Sequence, residues 1–142
     1  MSDGDLFGLY SQRILGLAAA IPHTDPIAAP GAQAQRRSPL CGSTVAVALT
    51  TQGGHIAAFS QTVRACALGQ ASAAIFGEAV IGCSRDQIAT LCTELAAMLQ
   101  GGPVPAPPFA GYAVLAPAKD FPNRHASILL APQATLEALE RT

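Results

Sequence analysis

The sequence predicts an α+β fold: an N-terminal helix, a three-stranded antiparallel sheet, then helices packed on one face of that sheet. Three observations carry this expectation. Apolar residues at helical spacing run through residues 5 to 20. An alternating apolar stretch, broken by Thr51-Gln52-Gly53-Gly54, fills residues 45 to 65. After residue 66 the chain reads as helices and connectors.

Each element has its own local reason. Leu6, Leu9, Tyr10, Ile14 and Leu17 lie on one face of a first helix, which Pro22 stops. Residues 22 to 38 carry Pro22, Pro26, Pro30 and Gly31 without a period, which reads as a long loop ending in Arg36-Arg37. Val45, Val47 and Leu49 alternate with Ala46 and Ala48, a strand with one buried face. The Gly53-Gly54 turn leads to a second strand at 55 to 60 and a weaker third at 61 to 65, where the period is patchy and a bulge is expected near Phe59. Cys66 precedes a helix of small residues at about 67 to 80, where Gly69, Ala71, Ser72, Ala73 and Ala74 would let another backbone come close.

Ser84-Arg85-Asp86-Gln87 has the form of a capping box. The helix it starts carries Ile88, Leu91, Cys92, Leu95 and Leu99 as its apolar stripe and ends at Gly101-Gly102. A Pro-rich connector covers 103 to 111, and a short helix runs from Tyr112 to about Ala118. A further helix spans 122 to 131, and Pro132 opens a last one reaching Glu140. No internal repeat is present.

Composition limits the function. The chain has 142 residues, enough to bury a core as a single domain over residues 1–142. Half of it is apolar and 12% is charged, which argues against disorder. Much of the apolar content is Ala and only 5% is aromatic, so the core should be close helix packing around small side chains. A net charge of −1 provides no field for nucleic acid. The apolar run at 14–21 is too short to span a bilayer, and Asp3 and Asp5 stand where a signal peptide carries positive charge. The reading is a soluble cytoplasmic protein with no membrane partner, whose four cysteines are thiols or ligands rather than disulfides.

The candidate chemistry lies at one end of the sheet. Cys41, in Pro39-Leu40-Cys41-Gly42, sits where a strand begins, and Cys66 sits where a helix begins. At a helix start, unpaired N–H groups and the macrodipole favour an anionic sulfur. Gly42 leaves the Cys41 sulfur uncrowded, and Arg36 and Arg37 are placed to help hold it. The alternative for both cysteines is that of most free thiols, small buried hydrophobes. Cys83 reads as structural or incidental and Cys92 as core. His125, at the start of a helix, is a candidate nitrogen ligand or a capping residue. No GxSxG, HExxH or phosphate loop occurs, and the carboxylates are scattered, so a non-enzymatic carrier is favoured over an enzyme.

Pro39-Leu40-Cys41-Gly42 and Cys66-Ala67-Leu68-Gly69-Gln70-Ala71-Ser72 resemble the two cysteine motifs of the NifU/IscU/SufU-like iron–sulfur cluster assembly scaffolds. The likeness covers most of the chain. Leu9-Tyr10-Ser11 through Pro22 is similar to the family's first helix. An insertion at about 101 to 120, followed by Phe121-Pro122-Asn123-Arg124, looks most like the SufU branch. The family's motif aspartate falls at Ser43 and its third cysteine at Ser127. Serine hydroxyls stay protonated at neutral pH and hold soft metals weakly, whereas clusters and zinc take thiolates.

The resemblance implies a scaffold that holds a transient [2Fe-2S] cluster or zinc through Cys41 and Cys66. It names Ser43 and Ser127 as the remaining site positions, and His125 is the candidate replacement ligand. A homodimer contributing two thiolates from each protomer is the other way to complete the site. The implied partners are a cysteine desulfurase and cluster-accepting proteins. Two alternatives stand beside the scaffold. One is sulfur transfer, in which Cys66 accepts a persulfide sulfur. The other is a degenerate interaction module that binds no metal.

Overall fold

The computed structural model describes residues 11–39 and 42–142. Helix α1 (Gln12–Ala18) starts on Ser11, whose hydroxyl accepts the Ile14 N–H at 3.4 Å. Ile14 is buried and Leu17 packs against the core. Leu6, Leu9 and Tyr10, expected on the same face, lie outside the described residues.

The sheet has three antiparallel strands, β1 (Ala32–Arg37), β2 (Thr44–Gln52) and β3 (His55–Arg64), in the order β1-β2-β3. Their number matches the expectation; their membership does not. The third strand is β1, inside the segment expected to be loop. Ala and Gln favour strands weakly, so Ala32-Gln33-Ala34-Gln35 carries little local signal. Pairing with β2 makes it a strand, with Ala32 and Ala34 buried and the glutamines exposed. Residues 61 to 65 form no separate strand, because β3 runs unbroken from His55 to Arg64.

The patchy period has one cause. The β2–β3 register shifts between Thr50 and Thr51, leaving Ala57 as an extra residue. Inward residues change phase there, from Ile56 to Phe59 and Gln61. The irregularity sits two residues before the expected Phe59.

Helix α2 (Ala67–Ala79) is the central element. Leu68, Ala71, Ser72, Ala73, Ala74 and Phe76 are all buried, so the small residues do serve close packing. Its Gly77 has no room for a Cβ, which would meet the Gln61 side-chain nitrogen and the Pro22 ring, each at 2.8 Å. That nitrogen donates to the Pro22 and Ala73 carbonyls, both at 3.1 Å. Gln61 therefore ties the segment after α1 to the sheet and to α2.

Helix α3 (Arg85–Met98) has the expected capping box: Ser84 Oγ accepts the Gln87 N–H at 3.2 Å and Gln87 Oε1 accepts the Ser84 N–H at 2.8 Å. Gly101, at φ 98°, turns the chain away from it. Cys92 is half-buried rather than core. It rims a cavity of about 420 Å³ with Arg36, Leu136 and Glu137, because the helix turns its Ile88, Leu91, Leu95 and Met98 face inward instead. Aromatic rings fasten the connector that follows. Phe109 stacks on Phe76 at 5.7 Å between centroids, and Phe76 meets Phe59 edge-on at 5.8 Å.

A 3-10 stretch (Ala110–Asp120) stands where a short helix was expected, and a 3-10 turn (Pro122–Arg124) leads into helix α4 (His125–Glu140). The expected break at Pro132 does not occur; α4 passes through it. Pro132 has no N–H for the Ile128 carbonyl, and Ser72 Oγ donates to that carbonyl instead, at 2.6 Å. Helix α4 lies against β1, β2, α2 and α3. No helix among the described residues is long and apolar enough to cross a membrane.

Candidate functional site

Three of the sequence-derived site residues meet where β2 begins and α2 and α4 start. Cys66 occupies the cap position of α2, with extended backbone (φ −65°, ψ 170°), and its carbonyl accepts the Gln70 N–H at 2.9 Å. Its sulfur caps no backbone group. It lies 3.5 Å from Ser127 Oγ, half-buried. Ser127, only 1% exposed, donates to Ser43 Oγ at 3.2 Å, and Ser43 is 4% exposed. A line of sulfur, hydroxyl and hydroxyl thus joins α2, α4 and β2.

Cys41 lies outside the described residues. The described residues on either side of it are tied to one another. The Ser38 N–H donates to the Ser43 carbonyl at 2.8 Å and the Gly42 N–H to the Ser38 carbonyl at 3.0 Å. Gly42 is at φ 71°, a left-handed conformation that a side chain would strain. The two arginines expected beside Cys41 part company. Arg36 is bound to Glu137 of α4 at 3.4 Å. Arg37 reaches the turn: its Nη2 lies 3.7 Å from where a Cβ on Gly42 would sit.

His125 opens α4, but its Nε2 is 2.8 Å from the Ala118 carbonyl. That nitrogen is the donor, which leaves Nδ1 as the ligand atom of the ring. The contact ties the 3-10 stretch to the start of α4. Cys83 is buried and donates to the Ala79 carbonyl at 3.2 Å, and burial pushes its thiol up. Burial pushes Cys92 up to about 11, offset in part by the nearby Arg36 guanidinium.

Two residues of α2 set the site's spacing. A Cβ on Gly69 would collide with Ser127 Oγ and meet the Ala65 methyl at 2.8 Å, so only glycine lets α4 come this close. One turn later Ser72 holds the Ile128 carbonyl and also meets Tyr112 Oη at 2.9 Å. Tyr112 is fully buried, and that burial pushes its phenol far up, so it stays protonated. The small-residue run at 69 to 74 was the sequence signal for this approach; that Ser127 is the approaching group was not visible in it.

The donor set decides what the site can hold. Among the described residues, no three His, Cys, Asp or Glu side chains come together as a metal site. One thiol and two hydroxyls, already hydrogen-bonded to one another, do not fit a closed four-coordinate centre within these residues. They do fit a nucleophilic sulfur with a hydroxyl beside it. Ser127 has one proton to share: it goes to Ser43 while the Cys66 S–H donates, and it is within reach of Cys66 when that sulfur is anionic.

No family model and no curated relative matches the chain. Solved structures do. A nitrogen-fixing NifU-like protein (N-terminal) from Brucella abortus is 35% identical, covers 97% of this chain and 99% of its own, and superposes with a TM-score of 0.92. A candidate iron–sulfur cluster assembly scaffold for the SUF system of Fervidobacterium islandicum shares the fold at 20% identity and a TM-score of 0.84, over 92% of this chain and 96% of its own. A hypothetical protein at 27% identity has a TM-score of 0.82, over 94% and 98%.

Proposed function

This chain belongs to the NifU-like family of iron–sulfur cluster assembly scaffold folds, and on that premise we propose that it works in cluster assembly as a single-domain carrier whose acting groups are Cys66 and Cys41. The carrying observation is the half-buried Cys66 sulfur, 3.5 Å from Ser127 Oγ, which in turn reaches Ser43, two residues after Cys41 in sequence. Its cargo is sulfur or a nascent cluster. Its partners are a cysteine desulfurase and the proteins that accept the cargo, and its compartment is the cytoplasm. A cluster or zinc ion held as cargo takes Cys41 and Cys66 as thiolate ligands. His125 Nδ1 is the candidate third ligand, and a second protomer giving its own pair of thiolates would make four.

The Ser43–Ser127 pair favours sulfur transfer as the form of this role, because transfer needs one reactive thiol rather than four ligands. In that step the Cys66 thiolate attacks the outer sulfur of the desulfurase persulfide. A new S–S bond forms on Cys66, the old one breaks, and the donor cysteine leaves as a thiolate, so no external oxidant or reductant is needed. The Ser127 hydroxyl is within reach to hydrogen-bond the anionic sulfur while it waits to attack, keeping its own proton.

The test incubates the protein with a desulfurase and cysteine and reads the mass of each thiol. The expected result is one added sulfur on Cys66, surviving chelator and absent from a folded Cys66→Ala chain. In a parallel anaerobic loading with iron and sulfide, visible cluster absorption lost in Cys41→Ser would favour the scaffold form. No added sulfur and no absorption would overturn both and leave the interaction module.

A further inference from the structure

The face of the sheet turned away from the helices carries a second surface. From Thr44 to Thr50 the strands pair without a register shift, so outward side chains stand in rows. The end row is Arg37, Thr44 and Arg64. The next two rows have Ala46 and Ala48 at their centres, flanked by Thr62 and Ser60 on β3. The loop at 24–30 closes the far end, and together they enclose a groove of about 380 Å³.

The groove has a small, methyl-lined floor between polar walls, which leaves space for a backbone. Its open end is cationic. Arg37 and Arg64 are both exposed, and neither has a carboxylate partner among the described residues, where the ion pairs are Arg36–Glu137, Arg141–Glu137 and Arg85–Asp86. Arg36, the neighbour of Arg37, faces the opposite side of the sheet and is held by α4. The carboxylate in the closing loop, Asp25, is exposed and does not line the groove. Adjacent strands are spaced so that Arg37 and Arg64 stand roughly 10 Å apart across Thr44, a gap one carboxylate can bridge.

The cationic end is also the site end. Arg37 leans on Gly42, next to Cys41 in sequence, and Arg64 precedes Cys66 by two residues. We propose that this face is a docking groove for an extended acidic segment of a protein partner. The segment's carboxylates bind Arg37 and Arg64, and its backbone crosses Ala46 and Ala48. The distance from the arginine row to Ala48 is about 14 Å, the length of roughly four extended residues, which suits a peptide rather than a small anion. That the segment belongs to the protein exchanging cargo with Cys66 rests on the function proposed above; the docking itself does not.

The experiment follows the fluorescence anisotropy of a short labelled glutamate-rich peptide titrated with the full chain. Saturable binding that weakens with salt is expected. Arg37→Ala combined with Arg64→Ala should weaken it about tenfold, and Ala48→Phe, which fills the floor, should weaken it as well. Arg13→Ala, an exposed arginine on α1, and Cys66→Ala should leave it unchanged. Absence of saturable binding would overturn the proposal. So would an equal loss in Arg13→Ala, which would mean diffuse charge attraction, or full binding in Ala48→Phe, which would mean that no groove is used. Failure of sulfur loading with peptide binding intact would remove only the role of Cys66.

Discussion

The Ser72 hydroxyl donates to the Ile128 carbonyl at 2.6 Å, and that carbonyl is the one Pro132, four residues on, has no N–H to reach. One side chain of α2 thereby keeps α4 continuous through a proline and fixes its first turn over Cys66. A helix broken at Pro132 would leave Ser127 without a fixed distance to the sulfur.

Removing that hydroxyl should show the coupling. Ser72→Ala strands the buried Ile128 carbonyl and takes a partner from Tyr112, at a cost of about 1–3 kcal/mol. Pro132→Ala restores an N–H to the carbonyl. In that background the same Ser72→Ala change should cost measurably less in urea unfolding. Equal costs in both backgrounds would mean the two residues act independently.

Gly69→Ala gives a test of opposite sign to helix propensity. In an open helix this change is worth about 1 kcal/mol of stabilisation. Here the new methyl would meet Ser127 Oγ and the Ala65 methyl. Net destabilisation of about 1–3 kcal/mol is expected, together with altered alkylation of Cys66 as α4 is pushed outward. A gain in stability would show that the helices separate freely.

Ser127→Cys should turn the hydroxyl beside Cys66 into a second soft ligand. Because Ser127 Oγ is 3.5 Å from the Cys66 sulfur, cobalt(II) titration should develop sulfur-to-metal charge-transfer absorption well above that of the native chain. No added absorption would mean that position 127 cannot share a metal ion with Cys66.

The raised thiols of half-buried Cys92 and buried Cys83 make stability fall in alkali. In the unfolded chain Cys92 titrates near 9.0; folded, burial holds it at about 11, and Cys83 is also raised. Between these values the native state binds more protons than the unfolded one, so the contribution is whole below pH 9.0 and is lost as pH climbs toward 11. Cys92→Ser should flatten the decline over that window in urea midpoints taken at rising pH. At neutral pH, Cys92 should also alkylate slowly, which a mass-resolved time course will read.

Local sequence was enough for much of the fold. Ser84 and Gln87 announce their helix because a capping box is satisfied within four residues. Val45, Val47 and Leu49 announce β2 because alternation needs no distant partner. The expected helix end at Pro132 failed because the group that replaces its hydrogen bond, Ser72, lies on another helix sixty residues earlier. Strand β1 was missed because Ala and Gln carry weak propensity and β2 supplies the ladder. For the site, the Cys66 and Ser127 positions were legible from motif likeness, whereas Gly69 as their spacer and Arg37 as the arginine at the turn were not.

What the sequence determined by itself is the set of local choices: where helices are capped, which strand has a buried face, which cysteine stands at a helix start. Only the tertiary structure decided which groups meet. It put Ser127 between Cys66 and Ser43, drew Arg36 away to Glu137, and set Arg37 and Arg64 on one face of the sheet. Those outcomes depend on register and on the closeness of packed helices, and both are fixed by contacts between residues far apart in the chain.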